Sequence, residues 1–175
     1  MNLITKRVHM NRCNGREVKQ LTLDRDFNVP DARPDALQIM KEQGEVQIEE
    51  VHMMEGKASV KGLLHFQILY ASDGDIPVSE MTGTIPFEET ISLPQAKAED
   101  EISVQAEIGD LKSELINSRK LGMKAIVVLN VTAGSVCDGE GAIDIEGGED
   151  IYTKKRTAEV SYLVFSKKDT LRVRD

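Results

Sequence analysis

The chain has 175 residues, 40% of them hydrophobic and 30% charged, which is enough for one globular domain with a core and too little for a second domain of similar size. Its net charge of −8 argues against nucleic-acid binding through a broad basic face, because an acidic surface repels phosphates. No stretch resembles a signal peptide or approaches the ~20 apolar residues of a membrane helix. The sequence therefore predicts a cytoplasmic protein without membrane insertion, and Cys13 and Cys137, which belong to no motif, fit reduced thiols there.

The first predicted element is a short helix over about 34–43, the only helix in the chain. Pro34 suits the first turn of a helix, and Gly44 suits the position just after its last turn. Leu37 and Met40, spaced by three residues, would face the core. The acidic residues near the positive end of the helix dipole are Asp31 and Asp35.

Alternation of apolar and polar residues predicts that the next elements are strands. Residues 45–54 and 60–70 flank Gly56, where we expect the turn of a hairpin, and a change of apolar face near Glu49–Glu50 predicts a β-bulge. Residues 81–94 form an extended segment, and Pro86 places it at a sheet edge because proline cannot donate to a ladder. Residues 101–111 form a further strand, whose apolar face is Ile102, Val104, Ala106 and Ile108.

The stretch KSELINSRKLGMKAIVVLNV (112–131) crosses a turn at Asn117–Ser118 and enters a long strand. The dry face of this strand is Leu121, Met123, Ala125, Val127, Leu129 and Val131. Residues 134–150 are rich in glycine and acids, which predicts a loop with at most a short strand at Ala142–Ile145. Together these elements predict an antiparallel all-β domain over residues 1–150, a β-sandwich or open barrel with one short helix.

Residues 151–175 differ chemically from this domain, because seven basic residues stand against three acidic ones there and leave a net charge of +4. The segment 149–175 loosely repeats the pattern of residues 16–31 and includes an apolar run, EVSYLVF. We therefore expect a basic linker that leads into the first strand of a following repeat, as in a longer protein with several copies of the domain.

The chain carries no local pattern that predicts catalysis, a cofactor or a metal. The acids from Asp138 to Asp150 lack the ligand spacing of a calcium loop, and a solvated acidic surface explains them better. The three histidines, His9, His52 and His65, have no metal-ligand spacing, and Gly147–Gly148 lacks the lysine and helix of a phosphate loop. The prediction is a protein that is not an enzyme, with no catalytic, cofactor or metal site.

Several short motifs, in matching order over residues 27–131, resemble the SPOCS domain family. They are Val29-Pro30, Pro34-Asp35, Gly44, Gly62, Ile68-Leu69-Tyr70, Pro86-Phe87, Glu114-Leu115 and Ser118-Arg119-Lys120. The family occurs in endospore-forming Firmicutes, typically with a C-terminal LysM module that these 175 residues lack. The resemblance implies a module of spore coat assembly in the mother cell, with spore coat morphogenetic proteins or a second copy of the chain as partners. Because ATPase contact is associated with the LysM region, direct contact with the coat ATPase is not expected from this segment.

Arg119 and Lys120, where the chain enters the long strand, allow two interpretations. One is a contact for an acidic partner. The other, which we favour for Arg119, is structural: one of the two residues could pair with Glu114 or an acid of a neighbouring strand, and an arginine at this position could hold the crossing loop through its several donors. The binding residues themselves are not predicted.

Two functions remain open on the sequence alone. The first is a structural and interaction module of the endospore coat, acting by protein–protein docking at the forespore surface through sheet edges and loops. The alternative is a small-ligand or glycan-binding β domain of a cell-envelope protein, with a cavity among its strands. A filled core favours the first, and a cavity with converging polar groups favours the second.

Overall fold

The computed structural model describes residues 2–73, residues 76–147 and Lys154. Its strands are β1 (Asn2–Asn28), β2 (Ala36–Met54), β3 (Lys57–Ser72), β4 (Val78–Ser92), β5 (Glu101–Asn117) and β6 (Lys120–Glu146). They form two three-stranded antiparallel sheets, ordered β1-β6-β5 and β2-β3-β4. The predicted all-β antiparallel fold is therefore confirmed, in its sandwich form.

The chain divides into one unit of Cys13–Ser135 and a second of Met1–Arg12 with Val136–Asp175. The described part of the second unit is a ribbon from the outer ends of β1 and β6, in which Asp138 pairs with Arg7 and His9. The acidic stretch after residue 133 was expected to be a loop, but β6 continues to Glu146, so that expectation is wrong for these residues. The predicted linker and strand beyond residue 150 lie outside the described residues, apart from Lys154.

Side chains from both sheets fill the space between them in the larger unit. The predicted dry face of β6, from Leu121 to Val131, is at most 1% exposed, and the inward face of β3 is equally buried from Val60 to Tyr70, apart from Phe66 at 3% and Gly62. Each fully buried aliphatic side chain contributes about 1.5–3 kcal/mol. The predicted apolar face of β5 is partly buried and packs against the same clusters. Aliphatic packing across the sandwich therefore holds this unit together.

The predicted local features of the β2-β3-β4 sheet are confirmed. β2 and β3 form a hairpin at Gly56, whose φ of 71° suits a residue without a side chain. The register shift between Ile48 and Glu50 is the predicted bulge, with Glu49 as the extra residue. β4, which contains Pro86, lies at the edge of the sheet.

The helix predicted over about 34–43 is wrong, because β2 begins at Ala36 and pairs with β3 throughout this region. About ten residues form a marginal helix even with good caps, whereas the hydrogen bonds of a sheet ladder and the burial of Ala36 favour the strand. Leu37 and Met40, which the helix would have turned to the core, are 59% and 60% exposed.

Asp100 connects three separate parts of the larger unit. Its carboxylate accepts hydrogen bonds from the Lys97 backbone N–H at 2.9 Å and from the Asn14 side-chain nitrogen at 2.9 Å. The same Asn14 nitrogen lies 3.1 Å from Ser135 Oγ on β6. Asp100, which is charged and only 6% exposed, therefore links the turn before β5 to β1 and β6.

These contacts predict a loss of stability in acid. The Lys97 backbone N–H first, and then Asn14, hold the pKa of Asp100 below its ordinary value of 3.8. Because the folded protein lowers this pKa, the stabilisation is complete well above pH 3.8 and is lost as pH falls through the ordinary and then the folded value. We expect Asp100→Asn to melt at a lower temperature than the wild type at pH 7, with the difference shrinking below pH 3.8. A difference that stays constant with pH, measured by thermal denaturation, would contradict this.

Candidate functional site

The loop 29–35, which joins β1 to β2, lies against the turn between β5 and β6. The backbone N–H of Val29 donates to Arg119 O at 2.8 Å, and that of Ala36 donates to Ser118 O at 2.8 Å. Within the loop, the Arg33 N–H donates to Pro30 O at 2.9 Å and closes a turn. The two proline-containing motifs therefore shape a loop whose ends are both bonded to the β5–β6 turn.

The guanidinium group of Arg119 lies among the carbonyl groups of this loop. Its Nη1 donates to Arg33 O at 2.7 Å, and its Nη2 lies within 3.2 Å of Val29 O and 3.1 Å of Pro30 O. A tight turn leaves such carbonyls without partners in a ladder, and the planar fork of an arginine can reach several of them at once. We call Arg119 and the loop 29–35 the Arg119 clasp.

Two acids of the loop complete the clasp. Asp35 Oδ1 lies 3.1 Å from Arg119 Nη1, while its Oδ2 accepts from Ser118 Oγ at 2.8 Å. Asp31 Oδ1 lies 3.3 Å from Nη2. The backbone oxygen of Asp35 also accepts from the Asp73 N–H at 3.0 Å, so the clasp continues to the end of β3. The acids that the sequence assigned to a helix terminus are thus the ionic partners of Arg119.

The other residues predicted for this region lie elsewhere. Glu114 sits opposite Gly122 on β6 and lines a shallow depression of about 300 Å³ with Lys112 and Lys124, away from Arg119. Lys120 Nζ lies 2.7 Å from Asp26 Oδ2 on β1, an acid of a neighbouring strand. The structure therefore does not bring Glu114 and Arg119 together.

The chemistry of the clasp is that of an anchor. A guanidinium stays protonated at physiological pH, so it supplies fixed donors and a positive charge rather than a transferable proton. The Arg119 side chain is 35% exposed, which leaves part of it open to solvent while its terminal nitrogens are occupied by the loop. This arrangement suits the structural interpretation of Arg119, whose role stays a prediction until the residue is replaced.

A second polar site lies on the outer face of the β2-β3-β4 sheet. A depression of about 460 Å³, open to solvent, is lined there by Gln43, His65, Gln67, Thr82 and Thr84, among others. His65 Nε2 is buried and has no hydrogen-bond partner among the described residues. Within the same part of the chain, no group of three or more His, Cys, Asp or Glu side chains is placed to hold a metal ion.

Sequence reasoning missed the acids of the clasp and the polar site. One signal was available for the clasp: Asp31, Arg33 and Asp35 alternate in a segment that contains Pro30 and Pro34, and such a segment also suits a loop. The cross-strand neighbours of His65, Glu45 and Thr84, follow from the β2–β3–β4 register. This register cannot be derived from the sequence alone, because it depends on where the bulges of the β2–β3 hairpin lie.

The fold and the clasp define a class before any comparison: a two-sheet antiparallel β domain whose first inter-strand loop is held by an arginine from a distant hairpin. In a comparison with protein families, the family model described as SipL, SPOCS domain matches residues 35–116. Residues 35–116 are therefore similar to the SPOCS domain family, which confirms the resemblance seen in the sequence.

The match relates the chain to sporulation, and SPOCS domains are not a known enzymatic family. The searches of curated proteins and of solved structures gave no match. No described segment is a helix with the length and apolar character to cross a membrane.

Proposed function

We propose that this chain is a non-enzymatic interaction module of endospore coat assembly that works by docking to other proteins at the forespore surface, on the mother-cell side. The observation that carries the proposal is the SPOCS family match over residues 35–116. Spore coat morphogenetic proteins are its proposed partners.

The packing supports docking at the surface. Tyr70 and Leu64 from one sheet and Leu129 from the other are among the largest side chains, and all three are fully buried between the sheets. Because close-packed side chains occupy this space, the outer faces, the sheet edges and the loops are the parts that can contact another molecule. Edge strands with unpaired backbone groups are a common means of protein docking.

The experiment that tests this function is an affinity pulldown from sporulating cells of the source organism. The tagged chain and the tag alone are compared at matched expression, and bound proteins are quantified by mass spectrometry. We expect coat morphogenetic proteins to be enriched with the chain during sporulation. Equal recovery with the tag alone would contradict the proposal.

The alternative function, binding of a small polar ligand or glycan, has one observation in its favour. His65, whose Nε2 has no hydrogen-bond partner among the described residues, lines the outer depression together with amide and hydroxyl side chains, and such groups can bind a polar ligand. NMR titration of the purified chain with a panel of mono- and disaccharides tests this. Shifts confined to His65, Gln67 and Thr84 would support the alternative, and unchanged spectra at high ligand concentration would reject it for those sugars.

A further inference from the structure

The ribbon formed by the outer ends of β1 and β6 has two chemically different faces. On one of them, Asp138 pairs with Arg7 and His9. Thr5 Oγ1 on the same face donates to Glu140 Oε2 at 3.5 Å. Because successive side chains of a strand point to opposite sides, this face combines odd-numbered residues of β1 with even-numbered residues of β6. We call it the acidic face, since its described residues include Asp138, Glu140, Asp144 and Glu146 of β6.

The opposite face of the ribbon combines even-numbered residues of β1 with odd-numbered residues of β6. Met10 and Gly139 lie there together, because a Cβ added at Gly139 would lie 2.6 Å from Met10 Cε. We call this the cationic face. Its described residues are Asn2, Ile4, Lys6, Val8, Met10 and Arg12 of β1 with Cys137, Gly139, Gly141, Ile143 and Ile145 of β6. None of these described residues is an acid.

Large apolar side chains of the cationic face are open to solvent. Val8 is 40% exposed, Met10 44% and Ile143 53%. Ile4 and Ile145 beside them are partly buried. A cluster of exposed apolar side chains is typical of a contact surface.

The two charges of the cationic face have no acid to pair with. Lys6 and Arg12 are exposed, and neither forms an ion pair with another described residue. Arg7, the third cation of this part of β1, lies on the acidic face and pairs with Asp138. Lys6 and Arg12 are therefore available to an anion outside the chain, and their aliphatic stems can lie along the apolar side chains.

The separation of charge between the two faces gives the ribbon a preferred orientation toward an anionic surface. Residues 2–12 contain three basic residues and no acid, whereas residues 136–147 contain four acids and no basic residue. The cationic face has two of the basic residues, a charge of +2, and the acidic face has one basic residue with the four acids, a charge of −3. An anionic surface attracts the first face and repels the second.

An anionic phospholipid bilayer matches the cationic face in both of its properties. Phosphate groups lie at the surface of a bilayer and acyl chains lie just beneath them, so basic and apolar side chains are accommodated together. An acidic protein surface or a soluble polyanion would satisfy the two cations but would offer no apolar phase to the exposed side chains. The charge and the apolar character of the face therefore both favour a lipid surface.

We propose that the cationic face of the ribbon binds the surface of an anionic phospholipid bilayer. Val8, Met10 and Ile143 enter the boundary between headgroups and acyl chains, while Lys6 and Arg12 contact the phosphates. The ribbon lies on the bilayer and does not span it. Because two cations and a few apolar side chains take part, the binding is weak, with an apparent Kd on the order of 1 mM lipid.

This proposal goes beyond the assembly function and does not depend on it. Co-sedimentation of the purified chain with vesicles tests it, using equimolar phosphatidylglycerol and phosphatidylcholine against phosphatidylcholine alone. The salt concentration is roughly 0.1 M, because the Debye length of about 10 Å then screens much of the repulsion from the rest of the acidic chain. We expect binding to the mixed vesicles only, and weaker binding at roughly 0.5 M salt.

A charge-reversing double variant tests the two cations. Lys6→Glu with Arg12→Glu should weaken binding to the mixed vesicles at least about tenfold. Its matched control is Lys41→Glu with Lys57→Glu, which makes the same change in net charge at two exposed lysines of the other unit. The control should bind like the wild type.

A second double variant tests the apolar side chains. Val8→Ser with Met10→Ser should weaken binding by about tenfold, because less apolar area enters the bilayer. Val136→Ser is its matched control, since Val136 is an even-numbered residue of β6 in the same ribbon, 64% exposed, and lies on the acidic face. This control should also leave binding unchanged.

Four results would overturn the proposal: no binding to the mixed vesicles, equal binding to phosphatidylcholine alone, double variants that bind like the wild type, or controls that weaken binding as much. Circular dichroism and melting temperature establish that each variant is folded, and Lys6→Glu or Val8→Ser alone replaces a double variant that is not. If the chain binds vesicles as expected but enriches no coat protein from sporulating cells, the proposed function fails while the lipid contact stands.

Discussion

Replacing Arg119 with alanine is expected to lower the melting temperature by roughly 5 °C. The change removes donors to three backbone carbonyls and to two carboxylates of the loop 29–35. Hydrogen bonds to charged groups contribute about 1.5–3 kcal/mol each when buried, and the partial exposure of Arg119 reduces this to about 2 kcal/mol in total. For a chain of this length, 1 kcal/mol corresponds to about 2–4 °C, measured by differential scanning calorimetry.

Two further variants distinguish the loss of the hydrogen bonds of the Arg119 clasp from the loss of a positive charge. Arg119→Lys keeps the charge but not the fork, so it should recover only a small part of the lost stability. Lys124→Ala removes an exposed ion pair with Asp24, and its effect should be under about 1 kcal/mol. An Arg119→Ala protein that melts like the wild type but no longer binds its partner would show that Arg119 is a contact residue instead.

Replacing Gly62 with alanine is expected to destabilise the larger unit by about 2–3 kcal/mol, or roughly 4–12 °C. A Cβ at Gly62 would lie 2.6 Å from the backbone oxygen of Gln47 and 2.6 Å from Cζ of Phe87. The phenyl ring could turn aside only by leaving the core, and the Gln47 oxygen belongs to the neighbouring strand β2. The clash must therefore be relieved by moving a strand.

Gly141→Ala is the matched control for this prediction. Gly141 also lies in a strand, but nothing stands within 4 Å of the position of its Cβ. The replacement should leave the melting temperature unchanged or raise it slightly, because alanine restricts the unfolded chain. Equal melting temperatures for the two variants would mean that Phe87 and β2 do not pack against Gly62 as described.

The strands and their buried faces could be predicted because the alternation has a period of two wherever one face is dry. From Leu121 to Val131 every second residue is apolar and buried, and the same rule places Val60, Leu64 and Ile68 in the core. Gly56 predicted a turn, because a residue without a side chain adopts a positive φ easily. Pro86 predicted an edge strand, because proline cannot donate to a ladder. These features follow from the properties of neighbouring residues and from which face of a strand is buried. Both leave a pattern that is visible in a single sequence.

The start of β2 could not be predicted, because its pattern follows from two bulges. Each extra residue shifts the alternation by one position, so Leu37 and Met40 fall three apart as on a helix face. Pro34 and Gly44 are also compatible with a helix. The ladder with β3, which decides the outcome, is a pairing over some thirty residues of sequence that no local signal reveals.

The partners of Arg119 were unpredictable for a related reason. Glu114 is near in sequence, but it lies within β5 opposite Gly122, whereas Arg119 lies in the turn beyond the end of that strand. Asp31 and Asp35 are distant in sequence and are brought to Arg119 by backbone pairing of Val29 and Ala36 with the β5–β6 turn. The sequence thus predicted an anchoring role for Arg119, and only the topology showed which groups its guanidinium contacts.

Fluorescence microscopy of sporulating cells tests whether the protein docks at the forespore surface, as proposed above. The gene that encodes this chain is fused to a fluorescent-protein gene at its own locus and expressed from its own promoter. We expect a fluorescent shell around the forespore as the coat forms, and a coat that detaches from the forespore when the gene is deleted. Fluorescence spread evenly through the mother cell, together with a normally attached coat in the deletion strain, would contradict it.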